Sequence, residues 1–177
     1  MAASNRKSTK TTFVTSLSDV DSTDKEGIGS IRWEGNNCYK YVKFLNTTAT
    51  VAGAAGDPVA YTAEDGYDDD EVCADISDAD AKPIGAGCLK GTVAGTAGTA
   101  YYCWIQIKGM ATLVEAIANS VDGTPVAAAD GDPLVFGAAD KVLRRANTVI
   151  DADAERRAEV AIAMDASAKT IICNFPF

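Results

Sequence analysis

The segment Gly56-Asp57-Pro58-Val59-Ala60-Tyr61 returns about 75 residues later as Gly131-Asp132-Pro133-Leu134-Val135-Phe136. Each copy reads as a turn running into a strand. Gly-Asp makes the bend, Pro fixes φ, and alternating apolar residues end in an aromatic ring. The echo continues downstream. Ile84-Gly85-Ala86-Gly87-Cys88-Leu89 aligns with Glu159-Val160-Ala161-Ile162-Ala163-Met164, and Thr99 to Ile105 aligns with Lys169 to Phe175. The pattern predicts one small β unit used twice, at about 51–109 and again at about 126–175.

Composition points the same way. The chain is 47% hydrophobic, enough to bury a core, but its apolar residues are mostly Ala and Val, and it carries 15 Gly. That mix suits thin β layers with many turns better than a thick helical bundle. The expected fold is all-β: a β-barrel or β-tulip-like domain over 28–177, preceded by an extended arm over 1–27. No apolar run is long enough for a membrane span, and the N-terminus has no apolar stretch of the secretory kind. A formal charge of −9 opposes direct contact with nucleic acid or an anionic membrane.

The arm begins Ser/Thr-rich with Arg6, Lys7 and Lys10, then turns acidic from Asp19 to Glu26. Phe13, Val14, Leu17 and Val20 are too few to fold it alone, so it is either a loose tail or an arm ordered by a partner. Beyond it, Ile31 and Trp33 face Tyr39, Tyr41, Val42 and Phe44 across Glu34-Gly35-Asn36-Asn37, which reads as a hairpin. Residues 63–81 hold nine acids and no base before Lys82, from Glu64 to Asp80. A solvated loop or strand edge is expected there, and the stretch 64–80 is also weighed as a cation site, although it lacks the ligand alternation of a calcium loop. Residues 83–109 predict two strands, with Tyr101, Cys103, Ile105 and Ile107 on one face and Tyr102, Trp104 and Gln106 on the other. Residues 111–118 read as a strand or a short helix. Residues 140–158 are helix-tolerant and predict a helical turn or two.

The search for chemistry returns little. There is no His, which removes the commonest general base and the Ser-His and Cys-His pairs. The five Cys, at 38, 73, 88, 103 and 173, show no paired spacing and read as reduced, buried thiols. No metal site is expected without His or paired Cys. Gly85-Ala86-Gly87 lacks the third Gly of a dinucleotide loop, and 91–98 lacks the Gly-Lys-Ser/Thr of a P-loop. The chain is therefore expected to be no enzyme, with no catalytic residue and no cofactor. Exposed aromatics are the remaining lead, because Trp33, Tyr39, Tyr41, Tyr101, Tyr102 and Trp104 cannot all face one small core.

Taken in order, Tyr39-Lys40-Tyr41-Val42, the first Gly-Asp-Pro turn, Ile84-Gly85-Ala86-Gly87, the aromatic strand ending in Lys108-Gly109, the second Gly-Asp-Pro turn and Val160-Ala161-Ile162-Ala163-Met164 form a series. This series resembles the small capsid decoration (cement) proteins of tailed bacteriophages over roughly residues 28–175. The acidic insertion at 63–81, the Arg-rich loop at 144–157 and the N-terminal arm depart from the family pattern.

The resemblance implies a structural virion protein, made in the host cytoplasm and carried on the outer capsid surface. It would hold neighbouring capsomers together by contact area, with the major capsid protein and its own copies, as a homotrimer or other homo-oligomer, for partners. Arg6, Lys7, Lys10, Phe13, Val14, Leu17, Trp33, Tyr39 and Trp104 are the candidate interface residues. Another phage structural β protein (tail, head–tail joining or fibre base) is the alternative, followed by a carbohydrate-binding module stacking sugars on Trp33 or Trp104.

Overall fold

Two long apolar stretches become the two longest strands, and the rest of the chain is organised around them. The computed structural model describes residues 12–63, 70–79, 83–121, 125–137, 139–146 and 159–176. In chain order the strands are β1 (Val20–Asp21), β2 (Ile31–Glu34), β3 (Asn37–Phe44), β4 (Pro58–Tyr61), β5 (Glu71–Cys73), β6 (Gly85–Leu89), β7 (Tyr101–Thr112), β8 (Pro133–Phe136), β9 (Leu143–Arg145), β10 (Ala161–Asp165) and β11 (Thr170–Asn174). Among the described residues there is no α-helix, and one 3-10 turn spans Ile76–Asp78. The chain is all-β, as expected. Of the helix-tolerant stretch, Leu143–Arg145 is strand instead, and 147–158 lies outside the described residues.

Strands β3, β5, β4, β6 and β7 pair in that order, and β7 pairs back on β3, closing a five-stranded barrel. The β2–β3 hairpin forms as predicted, with Trp33 opposite Cys38. The acidic stretch is a correction. Glu71-Val72-Cys73 is not solvated but fully buried, and it closes the barrel by pairing in parallel with Lys43 and Phe44. Neither edge of such a short strand is free, so its backbone groups are satisfied on both sides.

Strands β9, β8, β10 and β11 then repeat the order β5, β4, β6, β7. Even the parallel partner recurs, since Ala118 bridges Arg144 in parallel much as Lys43 faces Glu71. Thr112 at the end of β7 pairs with β11, and Ala118 a few residues on pairs with β9, so the chain itself carries the second ring round. The N-terminal half of β7 thus belongs to the first barrel and its C-terminal half to the second.

The twin turns are superimposable in their bonding. Gly56 N–H donates to Leu89 O and Gly131 N–H to Ala163 O, both at 2.8 Å. Asp57 Oδ2 accepts from Ala54 N and Asp132 Oδ2 from Ala129 N, again both at 2.8 Å. Both glycines have positive φ, 101° and 86°, which excludes a Cβ without strain.

Strand pairing corrects the sequence alignment further on. Leu89 corresponds to Ala163 rather than Met164. Ile105, opposite Leu89, corresponds to Ile171, opposite Ala163, and not to Phe175. The second error is an even number of residues, so inward and outward positions are preserved and the misalignment leaves no trace in the hydropathy pattern.

One apolar core runs through both barrels, from Val42, Phe44, Val59 and Ile105 to Leu134, Phe136, Leu143, Ile171 and Phe175. β7 passes between them at Gly109, where φ is +92° and a Cβ would lie 2.0 Å from Asn37 Oδ1. Gln106, fully buried, steadies the passage by donating its amide N–H groups to Lys108 O at 3.2 Å and Met110 O at 2.7 Å. The turn between β8 and β9 docks back on the first barrel. Lys141 Nζ reaches Ala52 O at 3.1 Å and Asp57 Oδ2 at 3.5 Å, and Asp140 Oδ1 accepts from Ile76 N at 2.8 Å.

Candidate interaction surface

Alternation on β3 and β7 sends Tyr39, Tyr41 and Trp104 to the outside of the first barrel, where bare aromatic rings would meet water. They do not. Residues 12–21 fold back over them: Phe13 and Leu17 pack on the three rings, and β1 pairs with β7 at Tyr102 and Cys103. Phe13 meets Trp104 edge-on at 5.2 Å between ring centres, and Tyr41 lies 5.1 Å from Trp104. The Arg32 guanidinium sits 5.4 Å from the Phe13 ring and 5.8 Å from Trp104, within cation–π range.

Polar groups lock this cover in place. Trp104 Nε1 donates to Thr15 Oγ1 at 2.9 Å, Thr15 N and Oγ1 both donate to Glu26 Oε1 at 2.6 Å, and Arg32 Nη1 donates to Thr15 O at 2.9 Å. Part of the arm is therefore ordered by its own barrel. Of the candidate interface residues, Tyr39 and Trp104 are buried, Phe13 and Leu17 face inward onto them, and Val14 and Trp33 are exposed. Trp104 offers no stacking platform for a sugar, since it has no exposed surface. Arg6, Lys7 and Lys10 lie outside the described residues.

The second barrel presents a different outer face. Ile162 on β10 pairs with Ile172 on β11, and Ile172 pairs with Met110 on β7. The three side chains form one row across three adjacent strands, with Pro133 of β8 opposite Ile162 at its end. Met164 stands two residues along from Ile162. Met110, Ile162, Met164 and Ile172 are between 38% and 60% exposed, while their neighbours Ala161, Ala163, Ile171 and Cys173 are buried.

The sequence analysis assigned these four residues to no face and did not single them out, because alternation shows which residues share a face and not which face is wet. The signal was present in Ala161-Ile162-Ala163-Met164. An inward pair of alanines says the lumen is too narrow for larger side chains, which leaves Ile and Met outside.

Beside Met110 a half-open crevice of about 300 Å³ runs between the barrels, lined among others by Cys88, Lys90, Gln106, Thr112 and Thr170. Lys90 Nζ lies 5.8 Å from the Tyr39 ring. Elsewhere the ionisable groups serve the fold. Lys40, buried, pairs with Asp70 Oδ1 at 2.5 Å and donates to Tyr61 OH at 3.1 Å. Burial opposes its charge, but these partners outweigh it and hold its pKa above the ordinary lysine value. Burial likewise opposes the charge of Asp78, yet the hydroxyl and backbone donors of Thr48 and Thr47 prevail and keep its carboxyl below the usual range. Asp75 accepts from Ser77 N at 3.0 Å and Ala49 N at 3.0 Å.

Among the described residues no group of three His, Cys, Asp or Glu is placed to hold a metal ion. Glu64, Asp65, Asp68, Asp69 and Asp80 of the weighed cation stretch lie outside them. Compared with known proteins, the chain matches no family model, no curated protein and no solved structure.

Proposed function

We propose that this chain is a structural virion protein of the capsid-decoration type, which binds the outer surface of a phage shell and cements neighbouring capsomers. The observation that carries the reading is the exposed row Met110–Ile172–Ile162 with Met164 beside it. Large apolar side chains gathered on one sheet face, with small ones turned inward, are the mark of a surface built to be covered by another protein. A rigid two-barrel body suits that role, because little ordering is lost when it docks. The net charge of −9 keeps densely displayed copies apart and away from nucleic acid. Each copy would add a modest interface across a seam between capsomers, and many copies would sum to a large resistance to separation. The major capsid protein is the partner in this reading, and the chain's own copies are the second.

The test is saturable binding of the purified protein to expanded phage shells, read by co-sedimentation. Ile162→Lys is expected to weaken binding at least tenfold while keeping the thermal midpoint within a few degrees of wild type. A wild-type protein that binds no shell, or a variant that binds as well as wild type, refutes the reading.

A further inference from the structure

β2 ends the strand order, and among the described residues it pairs with β3 alone. The hairpin itself shows which backbone groups face away. Tyr41 N–H donates to Ser30 O at 2.9 Å. An antiparallel ladder alternates from such a pair, so Arg32 bonds with Tyr39, and Glu34 with Asn37 across the turn Gly35-Asn36. The N–H and C=O groups of Ile31 and Trp33 therefore point off the free edge. Their side chains stand on one face of β2 and are exposed, Ile31 at 36% and Trp33 at 59%. Arg32 and Glu34 stand on the other face, joined by a salt bridge. An edge with unpaired backbone groups and a bare indole ring is a template for another strand.

We propose that the free edge of β2 pairs antiparallel with β2 of a second copy of this chain, centred on Trp33. The order Arg32-Trp33-Glu34 is self-complementary about its middle residue. With Trp33 opposite Trp33 of the second copy, each Trp33 N–H donates to the other's C=O and the two rings lie side by side. Each Arg32 then faces Glu34 of the other copy, and the Arg32–Glu34 bridge within each chain joins them into a ring of alternating charge. A slip of two residues sets Arg32 against Arg32 or Glu34 against Glu34. A slip of one brings to the seam backbone groups already bonded to β3. Charge and pleat thus admit a single register. The contact is isologous and closes at two copies. Arg32 is held in place beforehand, since it donates to Thr15 O and lies over the Phe13 and Trp104 rings, so little freedom is lost when it meets its partner. The ladder is short, so pairing is weak between free copies and strengthens where copies are held side by side. It lies on the first barrel and uses none of the Met110–Ile172–Ile162 row, so it stands apart from the shell-docking role.

The experiment is sedimentation equilibrium of the full-length protein from about 10 μM to about 1 mM, a range that covers weak self-association. A monomer–dimer equilibrium is expected, with dimer prominent at the top of the range. Trp33→Pro removes the outward N–H, which β3 does not use, at a place where an edge strand tolerates Pro. Glu34→Lys sets a positive charge against Arg32 of the second copy. Each is expected to raise the dimer Kd at least tenfold while keeping the thermal midpoint within a few degrees of wild type. If Trp33→Pro lowers the midpoint further, Glu34→Lys, at an exposed side chain, decides alone. Ile162→Lys is expected to leave the dimer as it is, which separates this contact from the shell-docking face. A protein that stays monomeric at the highest concentration, a dimer that Glu34→Lys does not weaken, or a dimer lost in Ile162→Lys overturns the proposal.

Discussion

In the first barrel β3 and β7 bury both of their faces. Val42, Phe44, Cys103 and Ile105 line the lumen, while Tyr41 and Trp104 lie under Phe13 and Leu17. In the second barrel β10 and β11 bury one face only. Ala161, Ala163, Ile171 and Cys173 point in, and Ile162, Met164 and Ile172 point out and are exposed among the described residues. The strand order is shared, so topology does not make the difference. A tail that folds back makes it, and the barrel without one is the half left with surface to offer a partner.

The widest gap between the two faces should be in their stability. Trp104→Ala removes a ring packed against Phe13 and Tyr41 together with the indole N–H that donates to the Thr15 hydroxyl, and is expected to cost about 3–5 kcal/mol in urea unfolding. Ile172→Ala on the open face should stay within about 0.5 kcal/mol. Equal losses at the two positions would mean that the second face is also covered within the monomer.

Alkaline pH sharpens the comparison, because it acts on the first barrel. Burial pushes the Cys103 thiol up to about 12, burial together with Asp78 and Asp75 does the same to Cys73, and burial takes the Tyr41 hydroxyl to about 12. The unfolded thiols ionise near their ordinary value while the folded ones keep their protons, so the unfolded state binds fewer protons between pH 9 and 12. The stabilisation from these groups is intact below pH 9 and drains away as pH rises through that window. About 2–3 kcal/mol should be gone by pH 10, measured by urea unfolding at pH 8 and pH 10. Flat stability across that interval would show that the thiols are hydrated in the folded protein.

The twin turns give the smallest contrast. Asp57 is buried and paired with Lys141 across the barrels, whereas Asp132 is half-buried and pairs with Arg145 at 2.8 Å within its own unit. Asp57→Ala should cost about 2 kcal/mol and Asp132→Ala about 1 kcal/mol. A reversed order would make the Asp132 turn the firmer one.

Much of this architecture was legible. The hairpin of β2 and β3, the division of β7 into two faces and the doubled turn all follow from alternation and turn chemistry, which are local. The losses have local causes too. β5 was hidden because three residues, Glu71 to Cys73, are too short a run to show a period within an acidic stretch. Tyr39 and Trp104 were read as exposed interface candidates and are buried instead, because no pattern within a strand reveals that a distant segment will lie over them. Ile162, Met164 and Ile172 were overlooked because periodicity fixes which residues share a face and leaves open which face is wet.

The strand β7 couples the two halves mechanically. Its first half is hydrogen-bonded to β1, β3 and β6 and its second half to β11, with no linker between. Tension along it would load rows of backbone bonds in both barrels at once and in shear, so neither half could be pulled open while the other stayed at rest.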